Sequence, residues 1–349
     1  MNFSYIKKLL KPLLFLIIGL IILFSIYRAQ QSAYMEECAM KGIAAENCSL
    51  FQKLIDDFYT TNVFWVVMVI LLFFLSCFIR AVRWKMMLDT FGINTRWYNS
   101  LGAILIAYLA NLAFPRAGEI VRAGIITRYE NINMDKTLGT IITDRVIDVI
   151  CLGSVLILGL VFAFRDIKGY FSENIKIGKS FSTFGSGYFW FLGLFIILAI
   201  LIFALYKFKE KIKAIPLTKQ IVLLVKGLWQ GMLSVRNLQR PWVFTGYSIA
   251  IWLIYFFMNY LMFKAFGPTE NLGLKAALVV FIFGSFGILF PSPGGMGSYH
   301  YLVMESLAIF GVSGSDGFSF AMIAFFTIQI IAIIILGLAA LAYMPLVNR

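Results

Sequence analysis

Charged residues are scarce in this chain of 349 residues: Asp, Glu, Lys and Arg make up 13% of it, about half of their usual share in a soluble domain. Hydrophobic residues account for 61% and aromatic residues for 17%. This composition excludes an ordinary soluble protein and indicates a polytopic membrane protein. The formal net charge of +13 would suit nucleic acid, but there is no soluble domain to present a basic face. We therefore expect no nucleic-acid partner and interpret the charge as a topology signal.

Residues that build catalytic and metal centres are equally scarce. The chain has one histidine, His300, and four cysteines, and no CxxC or Cys/His spacing predicts a metal site. It also has no HExxH motif, no nucleophile elbow and no GxxxxGK[ST] loop. We expect no cofactor and no enzyme with a complete catalytic motif. Cys77 and Cys151 lie in apolar runs, whereas Cys38 and Cys48 share a polar loop, where a disulfide and two free thiols are both compatible with the sequence.

Six apolar segments approach the roughly 20 residues that a membrane-spanning helix needs. The first follows Lys7, Lys8 and Lys11 and has no small-x-small cleavage site behind it. We interpret it as a retained anchor helix rather than a signal peptide. The predicted spans are Leu9–Tyr27, Asn62–Ile79, Leu138–Phe164, Tyr188–Tyr206, Trp242–Phe263 and Phe318–Val347.

Two other apolar runs, Leu101–Phe114 and Ala276–Phe290, have only about 14 or 15 residues before a proline, the length of re-entrant arms or buried half-helices. If both turn back as hairpins and the N-terminus is cytoplasmic, about two-thirds of the 30 lysine and arginine residues lie on the inner side. A full crossing by the first run would weaken this positive-inside bias. We therefore predict two hairpins and cytoplasmic termini.

The predicted order of spans and hairpins is the same in residues 1–164 and 188–349, with opposite orientation. The helix breaks match as well, because Phe114-Pro115-x-x-Gly118 ends one short run and Phe290-Pro291-x-x-Gly294 ends the other. Inverted repeats with broken helices near the midplane are typical of transporters. We predict an all-α polytopic membrane protein with one integral membrane domain, residues 1–349, which has six full spans and two re-entrant hairpins in two inverted halves.

Arg116, Glu119 and Arg122 follow the first break at a spacing of three residues. On a helix they share one side, so Glu119 can pair with either arginine and one positive charge is left over. A surplus arginine beside the helix N-terminus that follows Pro115 predicts a phosphate site. The alternative is an ordinary cytoplasmic loop with an internal salt bridge.

Asp144, Arg145 and Asp148 lie about one and a half turns inside the next apolar helix. Asp144 and Asp148 share a face at a spacing of four, and Arg145 lies near Asp148 at a spacing of three. Charges inside hydrocarbon are costly and often handle an ion or a polar substrate, so we predict a role in a polar cavity. The alternative is a structural ion cluster that closes the helix end or fixes it to the hairpin.

The tip of the second hairpin is rich in residues that turn the chain sharply and allow close backbone approach. These residues are Pro291, Pro293, Gly294, Gly295 and Gly297. His300 and Glu305 follow on the next arm. His300 is either a hydrogen-bonded structural residue or a residue that lines the polar cavity and titrates there. Glu305 is a further, weaker candidate for the lining of this cavity.

Together these motifs resemble the flippase-like family that includes the transmembrane region of lysylphosphatidylglycerol synthases. The resemblance covers most of the chain and depends on Asn111-x-x-x-Pro115-Arg116-x-Gly118-Glu119-x-x-Arg122, Asp144-Arg145-x-x-Asp148 and Pro291-x-Pro293-Gly294-Gly295-x-Gly297. It implies a helical bundle with re-entrant elements and, in bifunctional members, movement of aminoacylated phosphatidylglycerol to the outer leaflet.

The sequence departs from this family in three ways. The family usually has Glu at the positions of Asp144 and His300; the first change is mild, but the second changes the charge, and we do not carry the family role over to His300. No soluble aminoacyl-transfer domain follows Arg349, so we expect no synthase activity.

The leading hypothesis is a flippase-like transporter that moves a phospholipid or polyprenyl-phosphate headgroup between the leaflets of a bacterial inner membrane. Its partners would be membrane lipids with anionic or zwitterionic headgroups, and a homo-oligomer is compatible with the sequence. The alternative from another class is a membrane-embedded transferase acting on a lipid phosphate, with Asp144 or Glu119 as base. A third hypothesis is a scaffold for partner proteins.

Overall fold

The computed structural model describes residues 3–174 and 238–348, apart from residues 45, 47, 91–93, 115–116 and 290–291. This part of the chain is helical and contains no β-strand. A π-helical segment, Phe326–Ala332, joins the last two helices. The helices are α1 (Phe3–Met40), α2 (Leu50–Thr60), α3 (Val63–Asp89), α4 (Trp97–Ala113), α5 (Gly118–Glu130), α6 (Met134–Asn174), α7 (Pro241–Ala265), α8 (Leu274–Leu289), α9 (Ser298–Ala308), α10 (Gly314–Phe325) and α11 (Ile333–Val347).

Four stretches of the described helices are long and apolar enough to cross a membrane. They overlap four of the predicted spans, although the first extends 13 residues beyond the predicted end at Tyr27, and the all-α membrane class is confirmed. A fifth predicted span lies within the unbroken helix α6, whereas the span at Tyr188–Tyr206 lies outside the described residues. The complete set of six spans stays a prediction. The four stretches are Leu16–Met40, Val63–Asp89, Pro241–Ala265 and Gly314–Val347.

Helices α3 and α7 pack side by side in opposite directions and form the centre of the bundle. At one end, the backbone N–H of Asn62 donates to the carbonyl oxygen of Ala265 over 2.9 Å. Toward the other end, Arg83 donates to the hydroxyl of Ser248 over 3.1 Å. Asn62 also caps α3, because its side chain accepts the N–H of Phe64.

Helices α4 and α5 form the first helical hairpin. Pro115 cannot continue a helix, and α4 ends at Ala113. The return is antiparallel, because the amide of Asn99 at the start of α4 donates to Glu130 at the end of α5 over 2.6 Å. The packing of the two short helices agrees with the sequence prediction; their depth in the membrane stays a prediction.

Helices α8 and α9 form the second hairpin around a 3-10 turn, Pro293–Gly295. The two arms approach closely, since a Cβ added to Gly287 on α8 would lie 2.5 Å from the Cα of Tyr299 on α9. Gly294, Gly295 and Gly297 have positive φ angles of 61°, 77° and 86°. Glycine adopts this backbone conformation without the steric cost of a Cβ, so the tip needs the glycines predicted there.

Helix α10, the π-helical segment and α11 together form the last long helix, Gly314–Val347. The tips of the two hairpins approach the middle of this helix from its opposite ends. Along α4, Tyr98 lies against Tyr343, and Leu109, farther toward the first tip, lies against Gly337. From the other end, a Cβ on Gly294 at the second tip would lie 3.4 Å from the side chain of Gln329. The turn Pro293–Gly295 packs directly against α4. The tips therefore converge near the π-helical segment. Such π-helical turns are frequent at functional sites.

Helices α1 and α2 are joined by a disulfide between Cys38 and Cys48, with Cα atoms 6.2 Å apart. This resolves the alternative that the sequence left open. Lys53 of α2 then forms an ion pair with Asp316 at the start of α10 over 2.7 Å. These bonds attach the end of α1 to the last long helix.

Candidate functional site

Five charged side chains form a cluster inside the bundle, which we call the ion cluster. Arg80 and Arg83 come from α3, Arg122 from α5, and Asp144 and Asp148 from α6. Arg80, Arg83, Arg122 and Asp144 are each at most 3% exposed, and the side chain of Asp148 is 14% exposed. Five charges at this depth require close partners, because unpaired ions in a low-dielectric interior are strongly disfavoured.

The two aspartates are bridged by the two arginines of α3. Arg80 Nη1 lies 2.7 Å from Asp148 Oδ2 and 3.4 Å from Asp144 Oδ2. Arg83 Nη2 donates to both carboxylates and lies 2.8 Å from Asp148 Oδ1. The sequence prediction that Asp144 and Asp148 share one helix face is therefore confirmed.

Arg122 connects the first hairpin to this cluster. Its Nη1 donates to Asp144 Oδ2 over 2.9 Å. The guanidinium carbon lies 3.7 Å from the centre of the Trp84 ring, which is a close cation–π contact. Trp84 is itself fixed, since its indole N–H donates to the hydroxyl of Thr140 over 2.9 Å.

Arg145 and Glu119 form a second, more exposed pair beside the ion cluster. Arg145 Nε lies 3.5 Å from Glu119 Oε1, with side chains 45% and 32% exposed. Arg145 also lies 3.6 Å from Asp148, as its spacing predicted. Of the two partners that the spacing allowed for Glu119, Arg122 turns inward to Asp144 instead. Arg116, the other predicted partner, lies outside the described residues.

The ion cluster and the Arg145–Glu119 pair together contain four arginines and three carboxylates, and therefore carry one more positive than negative charge. Four buried nitrogen atoms of these arginines have no hydrogen-bond partner within the described part of the chain. They are Arg80 Nε, Arg83 Nε, Arg122 Nε and Arg122 Nη2. Surplus charge together with unused N–H donors is the chemistry that binds an anion.

Asn111 closes the tip of the first hairpin. Its side-chain oxygen accepts the backbone N–H of Gly118, the first residue of α5, over 2.7 Å. Gly118 is required here, since a Cβ would lie only 2.4 Å from the carbonyl oxygen of Ala107. Both residues of the predicted motif thus position the hairpin and, through it, Arg122. Pro115 lies outside the described residues.

A cavity of about 370 Å³ lies between the ion cluster and the second hairpin; we call it the central cavity. Arg80, Arg145 and Asp148 form its charged wall. The second hairpin contributes Gly284, Ser285 and Tyr299, among other residues, to the opposite side. Most of the remaining lining is apolar, but it includes four neutral polar side chains, those of Tyr108, Tyr255, Asn259 and Gln329. The cavity therefore offers charges of both signs and neutral hydrogen-bonding groups.

His300 and Glu305, predicted as site residues, do not line the central cavity. His300 is 1% exposed, and its ring centre lies 4.8 Å from that of Phe325. Its Nδ1 accepts the N–H of Gly297 over 3.4 Å, so it packs the base of the second tip. Of the tip residues, Gly294, Gly295 and Gly297 shape the turn, Pro293 opens the 3-10 segment, and Pro291 lies outside the described residues.

Arg80 and Arg83 are the residues that sequence reasoning missed. Both follow the predicted span Asn62–Ile79 and belong to the charges that the topology prediction places on the inner side. The structure instead extends α3 to Asp89 and buries both side chains. A signal was present, since two aspartates on one face of α6 need more cations than the neighbouring Arg145 supplies.

A scan against protein-family models matches residues 49–337 to a family described as the lysylphosphatidylglycerol synthase TM region. The match includes both hairpins, the ion cluster and the central cavity. No curated protein and no solved structure matches the chain.

Proposed function

The chain belongs to the family of lysylphosphatidylglycerol synthase transmembrane regions, and from this premise we propose that it is a flippase-like transporter. It moves the headgroup of a phospholipid or a polyprenyl-phosphate lipid between leaflets, without changing it chemically. The observation that carries the proposal is the charged wall of the central cavity, which faces the second hairpin tip at the level where both hairpins converge.

The charged wall suits a phosphate headgroup. Arg145 is half-exposed on this wall, and its pair with Glu119 is long, at 3.5 Å, and also exposed. Such a pair contributes little stability, so a phosphate can replace Glu119 at little cost. Arg80 lies beside it and is held in place by Asp148. Asp148 in turn offers a negative charge to an amino group on a zwitterionic headgroup. Anionic and zwitterionic lipids are therefore the expected substrates.

The cavity lowers the barrier that headgroups meet in hydrocarbon. Transfer of one charged side chain to the bilayer centre costs about 2.5–3.5 kcal/mol on insertion scales, and a headgroup with two charges faces at least a similar cost for each. Only the headgroup needs this polar shelter, since the hydrocarbon chains meet no such barrier in an apolar environment. A narrow cavity with one charged wall is thus sufficient.

The packing of the helices supports two inverted halves, with α3 to α6 corresponding to α7 to α11. Under this correspondence α3 pairs antiparallel with its own counterpart, α7. The contact of α4 with α11 has its counterpart in the contact of α8 with α6. The Cys38–Cys48 disulfide supports a periplasmic position for the end of α1, and hence a cytoplasmic N-terminus in an inner membrane.

Leaflet exchange in proteoliposomes tests the function. Fluorescent lipids with phosphatidylglycerol, phosphatidylethanolamine and phosphatidylcholine headgroups are compared, and exchange is read by dithionite quenching of the outer leaflet. Arg145→Gln removes a charge from the cavity wall without unpairing the fully buried residues. We expect it to slow exchange of the preferred lipid about tenfold, the effect of losing one charge-assisted hydrogen bond.

Lys85→Gln is the matched control, because Lys85 is on α3 and pairs with Asp89 outside the cavity. Its exchange rate should equal that of the unmodified protein. Equal rates for Arg145→Gln and the unmodified protein would remove the cavity from the mechanism. Chromatography of the recovered lipids separates transport from chemistry, since a modified lipid would favour the transferase alternative.

A further inference from the structure

A second, larger cavity lies on the side of the bundle formed by α6, α7 and α8; we call it the lateral groove. Its volume is about 1010 Å³, and its lining is mainly apolar, with Val155, Leu158, Leu253, Phe256 and Leu278 among the lining residues. We propose that this groove binds a hydrocarbon chain of the lipid whose headgroup enters the central cavity. This inference rests on the proposed function and specifies its substrate as a lipid held by the protein at both ends.

The length of the groove fits a hydrocarbon chain. Its lining on α7 extends from Phe244 to Phe256, about 18 Å at 1.5 Å per residue. The hydrocarbon thickness of one leaflet is about 15 Å, half that of the bilayer. A chain from one leaflet can therefore lie within the groove along its length.

The groove and the central cavity are neighbours and share two lining residues. Trp252 and Phe281 line both spaces, and their ring centres are 5.9 Å apart in an edge-to-face contact. One side of this aromatic pair is apolar and the other carries the charged wall. The pair thus lies where the polar and the apolar part of a single lipid would meet.

Trp252 also carries an unused donor. Its indole N–H is buried and has no hydrogen-bond partner among the residues that the structure describes, although buried tryptophan N–H groups usually find one. Phospholipids have ester carbonyls, which are hydrogen-bond acceptors, at the junction of headgroup and chains. An ester carbonyl at this junction would accept the indole N–H, which a purely hydrocarbon occupant would leave unpaired.

Photo-crosslinking tests the assignment. The full chain is reconstituted in vesicles containing phosphatidylglycerol with a diazirine midway along one acyl chain, irradiated, and mapped by mass spectrometry. We expect adducts on α6 and α7 residues of the groove, and we expect excess unlabelled phosphatidylglycerol to compete with them. Adducts at Leu71, which is 54% exposed on α3, should follow the bulk lipid fraction and resist specific competition.

Two variants sharpen the test. Ser154→Trp fills the groove from α6 and should abolish the competed adducts, whereas Leu71→Trp is the control for adding an indole to a helix surface. Trp252→Phe keeps the ring but removes the donor. It should raise the concentration of probe needed for half-maximal crosslinking by up to about tenfold, the effect of losing one hydrogen bond. An unchanged midpoint would overturn the role of the indole N–H.

Adducts spread evenly over all exposed helices would overturn the groove proposal. Competed adducts on residues 175–237 instead of the groove residues would overturn it as well. Leaflet exchange is measured in the same vesicles to separate this inference from the proposed function. Exchange without competed groove adducts overturns the groove alone, whereas competed adducts without exchange support the groove and overturn the transporter.

Discussion

Replacing Asp144 with asparagine should destabilise the protein strongly. Asp144 is fully buried and accepts from Arg83 and Arg122, with Arg80 at 3.4 Å. Asparagine has nearly the same shape, but it would leave three buried arginines with only Asp148 as a counter-charge. Removing one partner from a buried ion pair typically costs about 3–5 kcal/mol, and we expect Asp144→Asn to fall in this range.

The measurement is the free energy of unfolding from SDS titration in detergent micelles, followed by tryptophan fluorescence. Asp89→Asn is the matched control, since Asp89 pairs with Lys85 at the surface, where such pairs contribute about 0–1 kcal/mol. If charge imbalance is the cause, adding Arg122→Met to Asp144→Asn should recover part of the loss. Equal effects of Asp144→Asn and Asp89→Asn would refute the electrostatic account of the cluster.

Three further predictions follow from other parts of the molecule. Gly118→Ala should lower the free energy of unfolding by several kcal/mol, because the new Cβ would lie 2.4 Å from the carbonyl oxygen of Ala107. Gly124→Ala is the control and should not lower it, since a Cβ there would meet open space. Both variants are measured by the same SDS titration. Burial lowers the pKa of Lys53, but hydrogen bonds and charges from Asp316 and Asp57 outweigh it and raise the pKa above 10.5. The stabilising ion pair is therefore present below pH 10.5 and lost at higher pH. The difference in thermal stability between the unmodified protein and Lys53→Met should stay constant from neutral pH to pH 9 and shrink above pH 10.5. A difference that shrinks below pH 9 would contradict the assignment. In right-side-out vesicles an impermeant maleimide should label Ile43→Cys from outside and Arg128→Cys only after permeabilisation, and labelling of both from one side would refute the topology.

Local sequence rules were sufficient to predict the structure where a single residue type determines the backbone conformation. A proline after an apolar run of about 14 residues predicted where α4 ends, and the glycines predicted the second tip. The spacing of four between Asp144 and Asp148 also predicted a common face. These features depend on residues close in the chain, and they reappear in the structure.

The partners of the ionic residues were not predictable in the same way. Arg80 and Arg83 look like routine positive charges at the end of a span, because a count of charges per loop carries no information about burial. Their partners lie on α6, more than 60 residues away in sequence. For Glu119, local spacing allowed Arg116 or Arg122 as the partner, but the buried carboxylate of Asp144 holds Arg122 more effectively than an exposed one would.

The two hairpins are fixed by different forces, and this bears on which of them can move during the proposed transport. Pulling the first hairpin away would separate Arg122 from Asp144 and expose a buried charge, at a cost of several kcal/mol. The second tip is fixed largely by close backbone approach and aromatic packing, as between His300 and Phe325. Inside a bilayer such apolar surfaces lose little when lipid replaces them, because lipid chains are as apolar as the side chains. Access to the central cavity is therefore opened at the lowest cost by a shift of the second hairpin, while the first keeps the ion cluster intact.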